Sequence, residues 1–281
     1  MTRLWQLSIN ASADEAFDLS ERLGFLDGGD ALSVSVSESQ DGMRVDAIYD
    51  TVTSAEHARQ TIGRGKIEEL PDQDWVALTQ EGLPPIEAGR FLVHGSHDEP
   101  DTRGRIPIIV DAGAAFGTGH HGTTKGCLLM LSDLADDGFE PDAILDLGTG
   151  AGLLAIAAAK LFPKGDMLAT DIDADAVAVT QANALLNDVT VPCIQADGFD
   201  TPDLKSRTFD LILANILAGP LRGLAPNIAK AMRPDGMAVL SGILDEQADW
   251  VAGSFTAQGL QVQKKPSLDG WTSLLASKPE A

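Results

Sequence analysis

Residues 143–154 read Ala-Ile-Leu-Asp-Leu-Gly-Thr-Gly-Ala-Gly-Leu-Leu, and few folds accommodate them. An apolar run of strand length ends on glycines at 148, 150 and 152, and a helix-forming stretch, 153–161, follows at once. A strand buried on both faces that turns on glycines into a helix belongs to a parallel sheet covered by helices. The glycines admit positive φ and let a bulky ligand approach the backbone, and the helix start presents unpaired N–H groups.

The chain on either side carries that rhythm forward. Apolar strands at 143–147, 166–170, 191–196, 209–214 and 237–241 alternate with helices at 153–161, 174–186 and 221–232, which predicts a mostly parallel α/β sheet with helices on both faces. Segments 260–264 and 272–276, around Asp269-Gly270, read as a terminal hairpin. The N-terminal part follows a different pattern: strand 4–9, helix 13–23, strands 32–36 and 43–49 flanking Asp41-Gly42, helix 54–63 and strand 66–70. That β-α-β-β-α-β order predicts a small α+β domain of ferredoxin-like type over residues 1–70, a module suited to binding. Pro71, Gly82, Pro84, Pro85 and Gly89 mark 71–89 as a linker, leaving 90–281 as the larger α/β domain.

Three ligands compete for the glycine loop. A dinucleotide fingerprint requires a third glycine where Leu153 stands, and a phosphate-binding P-loop requires a Gly-Lys-Ser/Thr ending that is absent. Asp146, just ahead of the glycines, would repel a pyrophosphate but suits a cationic sulfonium nucleoside that carries an amino group. Alone, the loop is equally compatible with a purely structural turn.

Other strand ends bear on that choice. Asp171 closes the strand after the loop, placed to accept both hydroxyls of a ribose, while Asp173 serves as the N-cap of the following helix. Asp197 would lie within reach of an adenine amino group, but an acid–glycine turn accounts for it, and the turn is the reading taken. Asn215 ends a central strand among apolar residues, where its amide oxygen and a neighbouring backbone carbonyl can accept hydrogen bonds from an attacking amine. Residues 111–125, rich in glycine and ending in Thr123 and Thr124, read as a lid ahead of a helix at 125–134, with Thr124 reaching the ligand or capping the helix.

Charge and cysteine content narrow the partners. A net charge of −22 argues against a nucleic-acid surface and is compatible with a basic partner. Cys127 and Cys193 lack metal-ligand spacing and read as buried apolar residues; adjacent His120 and His121 do not converge on a metal, and His94 and His97 read as surface residues. No run has the length of a signal peptide core or a membrane span, so a cytoplasmic protein is expected.

The stretches AFGTGHHGTTKGCLLML, ILDLGTGAGLLAIAAAKL, ATDIDADAVAVTQANALLN and DLILANILAGPLRGLAPNI together resemble the methyltransferases of large-subunit ribosomal protein eleven (L11), from about residue 91 onward. AFGTG-x-H-x-TT and ANILAGPL carry the most specific part of the likeness. The resemblance implies a Rossmann-like, seven-stranded class I methyltransferase domain joined by a flexible linker to a substrate-holding N-terminal domain. It implies S-adenosylmethionine as cofactor and methylation of lysine side-chain amines and the N-terminal amine of L11, free or in the ribosome; a monomer with no dependence on nucleic acid or membrane is expected. Matched position by position, cofactor contacts fall on Thr124, Gly148, Asp171 and Asn215, with Gly150 in the same loop and Asn215 also catalytic. One departure is Gly122, where the family pattern has proline, a change expected to loosen the start of the helix. Two other readings share the loop: a methyltransferase of another protein or small amine, and an inactive methyltransferase-like scaffold.

Overall fold

The computed structural model describes residues 4–24, 31–39, 42–70, 85–96, 98, 100–110 and 122–280. The chain divides into two compact units, Met1–Trp75 and Val76–Ala281.

The first unit runs β1 (Trp5–Ala11), α1 (Ala13–Gly24), β2 (Ser33–Ser39), β3 (Gly42–Tyr49), α2 (Val52–Ile62) and β4 (Lys66–Glu69). Its sheet has the order β2-β3-β1-β4 with every neighbour antiparallel, the arrangement of a split β-α-β fold. Period-two alternation buries Leu7 and Ile9 of β1 with Val45 and Ala47 of β3, against Ala16, Leu19 and Leu23 of α1 and Ala55 and Ala58 of α2. Local chemistry ends α2: Thr51 Oγ1 accepts from the Ser54 amide at its start, and Gly63, at φ 82°, closes it in the left-handed conformation.

The second unit is built on a seven-stranded sheet. In chain order its strands are β8 (Ala143–Leu147), β9 (Asp166–Asp171), β10 (Cys193–Gln195), β11 (Phe209–Asn215), β12 (Met232–Leu244), β13 (Gln261–Lys264) and β14 (Trp271–Ser277). Their order across the sheet is β10-β9-β8-β11-β12-β14-β13, with the first five parallel and the terminal hairpin antiparallel. Helices α3 (Gly122–Asp136), α4 (Leu153–Leu161) and α5 (Ala174–Leu186) contribute to one core, and α6 (Ala218–Ala231) and α7 (Ala248–Thr256) to another. Side-chain alternation shows that these cores lie on opposite faces. Ile144, Leu211, Leu213 and Val239 belong to the first, whereas Leu145, Ile212, Ala214, Ala238 and Leu240 belong to the second. The expected helices on both faces of a mostly parallel sheet are therefore present.

Two parts of this unit carry no sequence expectation. Strands β5 (Ile86–Ala88), β6 (Phe91–His94) and β7 (Ile106–Ile109) form a separate three-stranded sheet, and β5 lies inside the stretch read as linker. Strands this short leave no periodicity to detect. Helix α7 was equally silent, since Gly253, Ser254 and Thr256 dilute its helical pattern. A third difference concerns α3, which starts at Gly122, so Thr123 and Thr124 sit in its first turn rather than ahead of it.

Asn187, just past the C-terminus of α5, ties the small sheet to the large one. Its Oδ1 accepts from the Ile109 amide at 2.9 Å, and its Nδ2 donates to the Ile109 carbonyl at 2.5 Å and to the Asn183 carbonyl at 2.8 Å. The side chain replaces a neighbouring strand for the end of β7 while itself buried. Replacing Asn187 by Ala strands backbone groups that water reaches poorly, and the expected loss of about 2 kcal/mol would be read by urea unfolding. An unchanged midpoint and slope would show that this bridge carries no stability.

Candidate active site

The C-terminal ends of β8, β9, β10, β11 and β12 surround a crevice of about 610 Å³. Thr124, Gly148, Gly150, Asp171 and Asn215 all line it, so residues separated by up to 91 positions share one cavity. Crevices at the carboxyl ends of strands are where open α/β sheets bind ligands.

The glycine loop is held from several directions. Gly148, Gly150 and Gly152 adopt φ of 74°, 57° and 83°. The amides of Gly148 and Thr149 both donate to the Thr170 carbonyl, at 2.8 and 3.0 Å, and the Gly150 amide donates to Asp171 Oδ2 at 2.8 Å. From α5, Thr180 Oγ1 donates to the Gly150 carbonyl at 3.0 Å and Asn183 Nδ2 to the Ala151 carbonyl at 2.8 Å. A turn satisfied in this way is rigid before any ligand arrives. A Cβ at Gly148 would come within 2.4 Å of Ile216 Cγ2, and one at Gly152 within 2.9 Å of Thr180, so side chains at either position would disrupt the cradle.

Two carboxylates brace the loop. Asp146 is buried, with Thr149 Oγ1 donating to its Oδ2 at 2.7 Å and the Ala155 amide at 3.1 Å. Burial pushes its carboxyl up to about 7; the two hydrogen bonds oppose that rise and the nearby Asp171 charge adds to it. Asp171 also accepts from the Asp173 amide at 3.0 Å through Oδ1, and each of its oxygens retains a lone pair. Asp173 caps α5, its Oδ1 accepting from the Asp175 amide. The two acids thus occupy the separate positions expected of them, although sequence reasoning missed the brace from Asp171 to Gly150. An acid about twenty residues beyond such a loop was the available signal. Asp197 lies in a turn, as read, and that turn also lines the crevice.

Asn215 stands opposite the loop. Its Nδ2 donates to Thr124 Oγ1 at 3.2 Å, which leaves Thr124 with a proton of its own to donate. Its Oδ1 is buried and has no hydrogen-bond partner among the described residues. An unsatisfied buried acceptor costs about 1–3 kcal/mol, and a ligand donor in the crevice would remove that cost. Taken together, the glycine cradle, the paired acids and this orphaned oxygen fit a nucleoside bearing a cationic centre.

Other expectations fall elsewhere. Residues 111–121, including His120 and His121, lie outside the described residues, as does His97. His94 is half-buried rather than exposed, because it ends a strand of the small sheet, and its Nδ1 lies 2.8 Å from the Gly95 carbonyl. Cys127 and Cys193 are buried and free, and burial pushes both thiols up to about 12. Among the described residues no cluster of His, Cys, Asp or Glu could hold a metal ion.

Comparison with known proteins points the same way. The family model described as ribosomal protein L11 methyltransferase (PrmA) matches residues 5–279. A ribosomal protein L11 methyltransferase of Brucella abortus (strain S19) is 42% identical over 282 residues, covering 97% of this chain and 98% of its own. One of Rhodopseudomonas palustris (strain BisB5) is 47% identical over 220 residues, 75% of this chain and 72% of its own. Among solved structures, the ribosomal protein L11 methylase of Lactobacillus delbrueckii subsp. bulgaricus superposes with a TM-score of 0.58 at 28% identity, covering 68% of this chain and 94% of that one.

The raised Asp146 carboxyl has a measurable consequence for stability. The folded protein keeps a proton up to about pH 7 that the unfolded chain releases near pH 4, so this contribution is full below pH 4 and is lost as pH rises through 7. Between pH 5 and pH 8 it amounts to about 2–3 kcal/mol, and Asp146→Asn is expected to remove that part of the slope in denaturant unfolding. Equal pH slopes in the two proteins would show that Asp146 is ionised throughout.

Proposed function

The chain belongs to the ribosomal protein L11 methyltransferase family, and from that premise we propose that it transfers methyl groups from S-adenosylmethionine to lysine side-chain amines and the N-terminal amine of L11. The single observation that carries the site assignment is the unpartnered Asn215 Oδ1 in a crevice it shares with the glycine loop.

When bound, S-adenosylmethionine supplies a methyl group on a positively charged sulfur. Gly148 and Gly150 would leave room for it against the backbone, Asp171 would accept from its ribose hydroxyls, and Thr124 would donate to its polar tail. The Asp171 carboxylate at the end of β9 adds negative charge beside the loop, which favours a cationic ligand. Asn215 has the catalytic part: its Oδ1 would accept an N–H of the incoming amine and so orient the nitrogen lone pair for attack. A lysine amine with pKa near 10.4 costs roughly 4–5 kcal/mol to present neutral at pH 7, and desolvation beside a positive sulfur lowers that cost. No strong general base is needed.

The remaining assignments belong to the same reading. Residues 1–70 hold the substrate, 71–89 link and 90–281 catalyse; a chain of net charge −22 suits a basic ribosomal protein better than nucleic acid. No helix among the described residues is long and apolar enough to cross a membrane; a cytoplasmic, monomeric enzyme is part of the same proposal.

Purified L11 and methyl-labelled S-adenosylmethionine test the proposal, with intact mass reporting each methyl added. Asn215→Ala is expected to lower kcat by about 10²–10³ while the fold survives. Full activity in that variant would refute the role of Asn215. Transfer to another protein or amine but not to L11 would leave the chemistry and replace the substrate, and absence of cofactor binding by calorimetry would leave only a scaffold.

A further inference from the structure

Side-chain alternation aligns a polar row across the sheet, directly beneath the crevice. Leu211 and Leu213 of β11 face the core that contains α3, and Asn215 continues that series two residues on. Asn215 pairs in register with Ser241 of β12, which follows Val239 on the same face. Ser273 of β14 occupies the same face two residues before Leu275. Three neighbouring strands therefore place an amide and two hydroxyls side by side under the first turn of α3.

The hydroxyls are fully engaged. Ser241 Oγ donates to the Thr123 carbonyl at 3.3 Å and lies 2.8 Å from Ser273 Oγ. Ser241 has one proton, so donation to Thr123 requires Ser273 to donate to Ser241. Both serines are buried, with Ser241 at 0% exposure. The helix is drawn down at the same place: a Cβ on Gly126 would come within 2.6 Å of Ser273 Oγ, and one on Gly122 within 2.6 Å of the Leu268 carbonyl. The lack of a side chain at Gly122 permits close approach of the helix start to the chain ahead of β14.

We infer that Ser241 and Ser273 are positioning residues for methyl transfer, setting the height of α3 so that Thr124 receives the Asn215 amide N–H and leaves Oδ1 without a protein partner at the crevice wall. Thr123 and Thr124 are adjacent, so the carbonyl that Ser241 holds and the hydroxyl that Asn215 needs move together. Without the hydroxyl pair the first turn lifts, Thr124 Oγ1 leaves Nδ2, and the amide is free to rotate its oxygen away. Neither serine touches the ligand in this scheme. The inference rests on the proposed role of Asn215.

A double-mutant cycle on the full-length protein separates positioning from simple support. Ser241→Ala is expected to lower kcat about 10-fold, with KM for L11 and cofactor affinity by calorimetry changed by less than about 3-fold. In a Thr124→Val background, where Asn215 has already lost its acceptor, the same change is expected to cost less than about 2-fold. A purely supportive serine would lower Tm and leave kcat of the folded enzyme unmoved, or would cost the same factor in both backgrounds; either result overturns the inference. Should Ser241→Ala fail to fold, Ser273→Ala removes the hydroxyl that donates to Ser241 Oγ and is held to the same coupling test. Loss of transfer by the unaltered protein would instead count against the function itself, whereas active wild type with no coupling counts only against the two serines.

Discussion

The glycine loop at the end of β8 has its backbone groups satisfied by side chains and a strand that it did not bring with it. Gly148 and Thr149 donate to β9, Gly150 donates to Asp171, and Thr180 and Asn183 of α5 hold the carbonyls of Gly150 and Ala151. A turn of three positive-φ glycines would lose much entropy on ordering if it were free. Bound on every side, it meets that cost during folding, and a ligand entering the crevice finds the cradle already shaped.

The opposite wall follows a different logic. There a strand period of two, carried from β11 to β12 and β14, replaces apolar side chains with Asn215, Ser241 and Ser273 where the sheet meets α3. A buried polar residue is costly unless paired, and each serine is paired. Only Asn215 Oδ1 is left without a partner among the described residues of this wall, so the cost is concentrated on the atom best placed to meet an amine. One wall is thus rigid and anionic, and the other presents a single aligned acceptor.

Much of this was legible in the chain. Apolar periodicity located the main strands and helices of both units, and it did so best where a strand is buried on both faces, as in β8. Where periodicity had too few residues to act on, it failed: β5, β6 and β7 contain three or four residues each, and the link from Asn187 to Ile109 spans 78 positions with no local trace. The start of α3 was placed late because Gly122 and two threonines read as loop formers, and the close packing of Gly122 and Gly126 on their neighbours has no sequence signal.

Local chemistry along the chain set the kinds of groups available: glycines where a backbone must be approached, acids at strand ends, and an amide where apolar residues stop. Those follow from local rules of sterics, charge and alternation, and they also carried the family resemblance. The tertiary structure decided which groups meet. Asp171 braces Gly150, Thr124 orients Asn215 across 91 positions, and Asp146 is buried deeply enough to hold a proton near neutrality. Such pairings depend on sheet order and helix height, which arise from the packing of the whole unit and are written in no single stretch of chain.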